Sequence, residues 1–294
     1  MSVLSINGLS KSFGTNLVID DISFDVPEGS VFGFIGANGA GKTTTMNMIL
    51  GFLEMDSGEI TACGEMVSYG RTIKGIGYLP DIPEFYNYMR PTEYLNLCGG
   101  LSGMTKENIK ERSKDLLELV GLSDANRKIG GFSRGMKQRL GIAQALLGGP
   151  KLLICDEPTS ALDPIGRKEI LEILTAVKGE ATVIFSTHIL SDVERICDRA
   201  AILHNGKIVL SGTLAELKKQ HSDNYEVEFS NESDAMAFAG LLSQEVTTFT
   251  ERTVWVKDTE GSLILSVLAE NKLVPLKLEL MEPTLEDLYV EVIT

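Results

Sequence analysis

The residues best suited to chemistry stand in the segment GANGAGKT, at positions 36–43. It fits the pattern G-x-x-x-x-G-K-[ST] and lies between a strand-like run, VFGFIG, and a helix-like run that starts near Gly41. Glycines let successive backbone N–H groups face one anion at a helix N-terminus. The segment predicts a nucleoside triphosphate site, in which Lys42 meets the β- and γ-phosphates, Thr43 binds Mg²⁺ and Thr44 contacts the α-phosphate. The other contributors are Gly36, Asn38, Gly39, Ala40 and Gly41.

Two adjacent carboxylates, Asp156 and Glu157, end the buried-strand run LLICDE at 152–157. An acid at such a strand end can hold Mg²⁺ through water, and a neighbour that points to another side can orient an attacking water. The alternative is a strand-end turn whose acids cap the next helix. The phosphate-binding segment upstream favours the first interpretation.

A basic cluster in FSRGMKQR, at 132–139, contrasts with a formal net charge of −14 and a pI near 4.8. The mean field of so acidic a chain repels DNA, RNA and anionic lipid, so we expect no nucleic-acid partner. Any anion bound here is held by local geometry. Ser133 is predicted to cap the helix GMKQRLGIAQALL, while Lys137 and Arg139 are expected on a solvated helix face.

Composition bounds the architecture. The 294 residues suggest two domains, and 43% hydrophobic content is enough for sizeable cores. No apolar run reaches the roughly 18 residues of a membrane helix, and the first residues lack the plan of a signal peptide, so a cytosolic chain is expected. The four cysteines are far apart, as expected of free thiols in a reducing compartment.

Hydrophobic periodicity divides the chain. Residues 2–35 alternate as strands, about 85–150 are mostly helical, and buried strands then alternate with helices, which favours a mostly parallel sheet covered on both faces. An antiparallel subsheet is expected beside it. The polar stretch KKQHSDN, at 218–224, predicts a boundary that separates residues 1–219 from 220–294. The second domain follows the order βαββαβ, typical of a small α+β ferredoxin-like fold.

Across residues 3–215, an ordered set of segments resembles the ATP-binding cassette (ABC) family. GANGAGKT resembles its Walker A loop, LLICDE its Walker B strand, SALD at 160–163 its D-loop, and FSRGM its signature, usually written LSGGQ. The resemblance implies an α/β P-loop NTPase cassette with a mixed-sheet core, an antiparallel β subdomain and a helical subdomain at about 85–150. It also implies roles for Phe13 in adenine stacking, Glu157 and His188 in catalysis, and Asp163 in contact with an opposite subunit.

Some of these roles have structural alternatives. Phe13 could fill the core, and a lone histidine such as His188 is more often structural. Ser191 and Glu194, in SDVE, predict a capping box for the helix after His188.

Two positions depart from the family pattern. Asp81, in GYLPDIP, stands where the family usually has Gln. It is a candidate catalytic residue and Mg²⁺ ligand beside Thr43 and Asp156, or else a turn or cap residue between two prolines. In the signature, Arg134 replaces Gly and Met136 replaces Gln, whereas Ser133 and Gly135 are retained.

The resemblance further implies Mg²⁺-dependent ATP hydrolysis by two copies paired head to tail, with Ser133, Arg134 and Gly135 of one copy facing the ATP of the other. The partner would be a separate integral-membrane permease, most similar to drug, bacitracin-type peptide or ion exporters, so the chain would lie peripherally at the inner face of the cell membrane. The aromatic segment 81–94, DIPEFYNYMRPTEY, is the expected docking surface.

The alternative is a soluble cassette ATPase outside transport. A translation type usually carries two cassettes, but this chain has one Walker A segment. A DNA-maintenance type needs a long coiled coil between the two Walker segments, where no sustained heptads occur.

Overall fold

The computed structural model describes residues 1–219, 224–242, 246–257, 259–281 and 284–293. They group into two compact units, Met1–Leu214 and Ala215–Thr294. The division falls at the start of the helix Leu214–Lys219, whereas the polar stretch in the sequence suggests a boundary after this helix. Polarity marks an exposed segment, but a unit is defined by its packing, so the two criteria need not coincide.

The first unit opens with an antiparallel sheet. Its strands are β1 Ser2–Phe13, β2 Asn16–Pro27, β4 Ser57–Ala62 and β5 Glu65–Met66. They lie in the order β2-β1-β4-β5, and β1 and β2 form a long hairpin. Apolar side chains such as Leu4 and Ile6 alternate along β1 into a core shared with the central sheet. The expected antiparallel subsheet is thus confirmed.

The central sheet of this unit has six strands in the order β10-β9-β3-β8-β7-β6. All neighbours are parallel except β9 and β10, which are antiparallel. Every residue of β3, β7 and β8 is buried, because helices and the antiparallel sheet cover both faces. The strands are β3 Val31–Gly36, β6 Ile76–Leu79, β7 Leu152–Asp156, β8 Thr182–Thr187, β9 Arg199–His204 and β10 Lys207–Thr213.

Helices follow the strands that carry the functional segments. Because parallel strands end at one edge of the sheet, the loops after β3, β7 and β8 meet there. These loops lead into α1 Lys42–Ile49, α5 Pro164–Val177 and α6 Leu190–Ile196.

The helical segment lies between β6 and β7. It contains α2 Pro91–Leu101, α3 Lys106–Leu119 and α4 Arg134–Leu146, with a 3₁₀ turn at Ile129–Gly131. Side chains cap two of these helices: Thr105 accepts from the Asn108 amide, and Ser133 accepts from the Met136 amide, as the sequence predicts for Ser133. One expectation was wrong: Arg139 is mostly buried and donates to the Val120 carbonyl, so it joins α4 to the end of α3.

After the helix Leu214–Lys219, the second unit has the βαββαβ order expected from the sequence, followed by a last helix. Its antiparallel sheet has the order β12-β13-β11-β14. The inner strands, β11 and β13, are the first strands of the two successive βαβ units, as in a split βαβ fold. Phe229 and Phe238 pack together in its core. The elements are α7 Leu214–Lys219, β11 Asn224–Phe229, α8 Glu232–Leu241, β12 Val246–Phe249, β13 Thr253–Val256, α9 Gly261–Glu270, β14 Pro275–Met281 and α10 Leu285–Ile293.

None of the helices in the described ranges is both long enough and apolar enough to cross a membrane.

Candidate nucleotide site

The loop between β3 and α1 requires glycine at two positions. Gly41 has φ of 108°, and a Cβ there would overlap the Cδ1 atom of Ile19. A Cβ at Gly36 would lie 2.7 Å from the carbonyl oxygen of Leu203 on the neighbouring strand. The loop therefore folds tightly between the end of β3 and the first turn of α1. The side chains of Asn38 and Thr43 are exposed at its surface, while Ala40 and Thr44 are half-buried.

Lys42 lies at the centre of this loop, with only 6% of its side chain exposed. Its Nζ donates to the carbonyl oxygens of Gly36 at 2.8 Å and Ala37 at 3.1 Å. It also lies 3.0 Å from Oε1 of Glu157, in an ion pair that is not well aligned as a hydrogen bond. The ammonium group thus joins the loop after β3 to the carboxylate after β7.

The two carboxylates after β7 point in different directions, as the sequence suggests. Asp156 is buried and accepts a 2.5 Å hydrogen bond from the hydroxyl of Ser186, its partner in the parallel register of β7 and β8. Glu157 adopts φ of 47°, and its amide donates to the Ser186 hydroxyl at 3.0 Å. This left-handed conformation turns the Glu157 side chain toward Lys42. Sequence reasoning missed Ser186, although it lies two residues before His188 on a predicted strand.

His188 follows β8 and lies against Glu157. Its Nδ1 is 2.9 Å from Oε2 of Glu157, and 40% of its side chain is exposed. The predicted capping box after it was wrong. The helix α6 begins at Leu190, and Ser191 lies in its first turn, where it accepts from the guanidinium of Arg167.

A second network, also missed from the sequence, is centred on the buried Asp192 of α6. Its carboxylate accepts from Thr159 Oγ1 at 2.7 Å and from Arg167 Nε at 2.8 Å. Thr159 follows Glu157 by two residues, and Asp192 follows His188 by four, so this network joins the segments after both. An acid inside a predicted helix gives no signal of such distant partners.

The two departures from the family pattern meet in space. Arg134 Nη2, at the start of α4, lies 3.4 Å from Oδ1 of Asp81, just after β6. Burial raises the pKa of Asp81; the Arg134 charge opposes this shift, whereas the carboxylates of Asp156 and Glu157 add to it. Asp81 therefore lies within the field of the two acids after β7.

The remaining predicted site residues lie apart from the phosphate loop. Ser133 and Asp163 each cap their own helix, and within residues 1–219 no hydrogen bond or ion pair joins either of them to Lys42 or Glu157. Gly135 faces open space beside Leu162. Phe13 is 50% exposed at the end of β1, with Lys11 Nζ 5.6 Å from its ring centre, so it does not fill the core.

A groove of about 570 Å³ lies beside the Asp81–Arg134 pair. The segment after β6 lines one side of it with Phe85, and α4 lines the other with Lys137 and Gln138. Gln138 is 2% exposed, and its Oε1 has no hydrogen-bond partner. A buried acceptor of this kind is costly unless a donor reaches it, so the groove suits an occupant that can donate a hydrogen bond.

The donor set around Lys42 fits a triphosphate with Mg²⁺. Lys42 and the tight glycine loop stand at the start of α1, where free backbone amides favour an anion, and the buried Glu157 Oε1 lacks a well-aligned donor. In the described ranges, no three Cys, His, Asp or Glu side chains cluster as a metal site. Mg²⁺ bound with phosphates needs only one or two protein ligands, which Thr43, Asp156 and Asp81 can supply.

Fold and site together define a P-loop nucleotide-binding protein of the cassette type. A family model described as "ABC transporter" matches residues 19–160. The chain is 47% identical over 223 residues to an uncharacterised ABC transporter ATP-binding protein, YxlF, of Bacillus subtilis (strain 168), with 76% of this chain and 75% of that protein covered. It is 34% identical to the bacitracin transport ATP-binding protein BcrA of Bacillus licheniformis, with 99% of this chain and 97% of that protein covered.

Solved structures agree with the sequence relatives. One, described as the structure of an ATP binding subunit of an ABC transporter, is 34% identical, with a TM-score of 0.67, 74% of this chain covered and 93% of that chain. The chain therefore belongs to the ABC transporter family, as an ATP-binding subunit that hydrolyses ATP to drive transport.

Proposed function

We propose that the chain hydrolyses Mg²⁺-ATP at the loop before α1, with Glu157 as the residue that activates the attacking water. The observation that carries this role is the position of the Glu157 carboxylate, between Lys42 Nζ at 3.0 Å and His188 Nδ1 at 2.9 Å. A triphosphate on Lys42 would compete with Oε1, which leaves the carboxylate free to accept a proton from water. His188 then holds Glu157 in place and can donate to the γ-phosphate.

The metal is assigned to the same edge of the sheet. When bound, Mg²⁺ would neutralise charge on the phosphate oxygens. The hydroxyl of Thr43 and the carboxylate of Asp156 would hold it, with Asp81 facing it from the end of β6. The hydroxyl of Ser186 donates to Asp156 and so restricts the orientation of its carboxylate.

Two copies are proposed to pair head to tail, which would bring a second chain to each nucleotide. Ser133 caps α4, so the amides of its first turn and Gly135 are placed to meet an anion, and Arg134 adds a positive charge. Asp163, exposed before α5, would contact the opposite copy, and Phe13, exposed at the end of β1, would stack on adenine.

A separate integral-membrane permease is the proposed partner, and it would hold this chain at the inner face of the cell membrane. The groove between Phe85 and Gln138 is lined by polar as well as apolar side chains and has one unpartnered acceptor, and the same segment exposes the apolar side chains of Ile82, Tyr86 and Tyr88. The likeness to the bacitracin transport ATP-binding protein BcrA, and to the linearmycin resistance ATP-binding protein LnrL of Bacillus subtilis (strain 168), supports an exporter. Residues 220–294 are proposed as an accessory domain for dimerisation or regulation.

Isolation of the chain from membranes tests this assignment. The full chain should copurify with an integral-membrane protein and hydrolyse ATP in that complex, and Glu157→Gln should strongly lower turnover without loss of the complex. A fully active protein found only in the soluble fraction, with no integral partner after mild solubilisation, would favour a cassette ATPase outside transport.

A further inference from the structure

Asp81 and Arg134 form an ion pair that connects two parts of the first unit. Asp81 follows β6 of the central sheet, and Arg134 is the first residue of α4 in the helical segment. Their side chains meet at 3.4 Å and remain 43% and 44% exposed. An ion pair of this exposure shifts an equilibrium by no more than about fivefold. It can therefore form and break readily.

The surroundings explain why the two residues need each other. Asp81 lies in the field of Asp156 and Glu157, and a third carboxylate there repels any triphosphate held by Lys42. The positive guanidinium of Arg134 lies beside the Asp81 carboxylate and offsets its negative charge. Gln at position 81 and Gly at position 134, the residues of the family pattern, would need no such compensation, since neither is charged.

We propose that Asp81 and Arg134 act as one unit, in which Arg134 exchanges between Asp81 of its own chain and the triphosphate held by a second copy. The second partner rests on the proposed head-to-tail pairing. Without that copy, Arg134 neutralises Asp81 and holds the helical segment to the sheet. When two copies close, Arg134 moves to the stronger anion, and Asp81, no longer paired, would be free to help hold Mg²⁺ beside Thr43 and Asp156.

The own-chain half of the proposal is tested by nucleotide binding at concentrations where the protein is monomeric. The variants are Asp81→Gln, Arg134→Gln and the double variant, titrated with a fluorescent ATP analogue and with ADP in the presence of Mg²⁺. Arg134→Gln should weaken triphosphate binding about two- to tenfold, because Asp81 is left unneutralised, and should affect ADP less. The double variant should return to the affinity of Asp81→Gln.

Additive effects of the two substitutions would overturn the proposal. Arg127→Gln is the matched control, because the Arg127 guanidinium packs on Phe132 and contacts Met136 rather than Asp81. It removes one positive charge from the same segment and should leave both affinities unchanged. An equal loss in this control would show a general charge effect instead.

Hydrogen exchange of the nucleotide-free chain provides a readout that needs no ligand. Either single substitution should speed exchange of amides in 81–87 and 132–137 by the same factor, and the double variant should add nothing further. Unchanged exchange in the single variants would overturn the pair as a link between the sheet and the helical segment.

The exchange itself is tested by ATP-dependent pairing in a Glu157→Gln background, followed by sedimentation. Asp81→Gln frees Arg134 and should lower the ATP concentration needed for pairing, whereas Arg134→Gln removes the second partner and should raise it. A raised requirement in both variants would overturn the exchange. Failure of the unsubstituted chain to bind ATP would instead contradict the proposed function. The hydrogen-exchange measurement would still test the Asp81–Arg134 ion pair, because it needs no nucleotide.

Discussion

His188 Nδ1 lies 2.9 Å from Oε2 of Glu157, while the other oxygen of the same carboxylate lies 3.0 Å from Lys42 Nζ. The carboxylate thus bridges the residue after β8 and the lysine after β3. Its position depends on the left-handed backbone of Glu157 and on the Ser186 hydroxyl, which accepts a hydrogen bond from the Glu157 amide. The side chains of Lys42, Glu157 and His188 therefore contact one another without a ligand. Replacement of one of them should change the positions of the other two.

Replacement of Glu157 by Gln should separate binding from turnover. Loss of a catalytic base lowers turnover by about 10²- to 10⁴-fold. ATP binding should be retained or strengthened, because Lys42 no longer pairs with a competing carboxylate. The measurements are steady-state hydrolysis and equilibrium nucleotide binding, and ATP should trap the variant as a dimer.

The matched control for this variant is Glu59→Gln, which neutralises an exposed carboxylate on β4 and should leave turnover unchanged. Normal hydrolysis by Glu157→Gln would remove Glu157 from the catalytic role.

The sequence predicts the phosphate loop and the two carboxylates because their contacts are local or lie at strand ends. GANGAGKT carries its own backbone requirements, and LLICDE places two acids where a buried strand must stop. Ser186 and Asp192 escaped prediction because their partners, Asp156, Thr159 and Arg167, are set by strand register and helix packing. The Asp81–Arg134 pair escaped for the same reason: 53 residues separate its members.

Asp192→Asn should impair both stability and turnover. The buried carboxylate accepts from Thr159 at 2.7 Å and from Arg167 at 2.8 Å, and an amide can satisfy only part of this set. A loss of about 2 kcal/mol in the free energy of unfolding is expected. Turnover should fall by more than the fraction of unfolded protein explains, since the segments after Glu157 and His188 lose the hydrogen bonds that connect them through Asp192.

Urea unfolding and hydrolysis, measured at a temperature where the variant is folded, separate these two effects. Glu172→Gln serves as the control for loss of an acid, because Glu172 is exposed on α5 and pairs only with exposed Lys168 and Arg195 among the described residues. Full activity of folded Asp192→Asn would show that the network is purely structural.

Asp198 should make stability depend on pH. Burial opposes ionisation, but hydrogen bonds from Lys178 at 2.6 Å and from the Val31 amide at 2.9 Å prevail and lower the pKa of Asp198. A lowered folded-state pKa contributes stability that is present above the unfolded-state value and is lost as pH falls through the folded value. Asp198→Asn should therefore cost about 1 kcal/mol at pH 7, allowing for solvent screening.

That cost should shrink below pH 4, and urea unfolding at several pH values would measure it. Asp25→Asn removes an exposed acid from β2 and controls for the change in net charge. If the unsubstituted protein and Asp198→Asn differed in free energy of unfolding as much at pH 3 as at pH 7, the lowered pKa of Asp198 would be contradicted.

Tyr88→Ser should weaken association with the membrane partner while hydrolysis by the isolated chain is unchanged. Tyr88 is 65% exposed and lies against Tyr86 with ring centres 5.8 Å apart, so its ring presents apolar area that no other part of the first unit covers. Phe85→Ala should have a larger effect on association, because Phe85 lines the groove. It also packs on Tyr94, so its folding must be verified by circular dichroism.

The control is Tyr69→Ser, which removes an equally exposed tyrosine, 63%, from a turn outside the aromatic segment. Copurification from solubilised membranes should be lost in the order Phe85→Ala, then Tyr88→Ser, and kept in Tyr69→Ser. Because Gln138 leaves an acceptor buried beside Phe85, Gln138→Leu should also weaken the complex if a donor of the partner reaches it. Intact copurification of Phe85→Ala, Tyr88→Ser and Gln138→Leu would place the membrane contact on another surface of the chain.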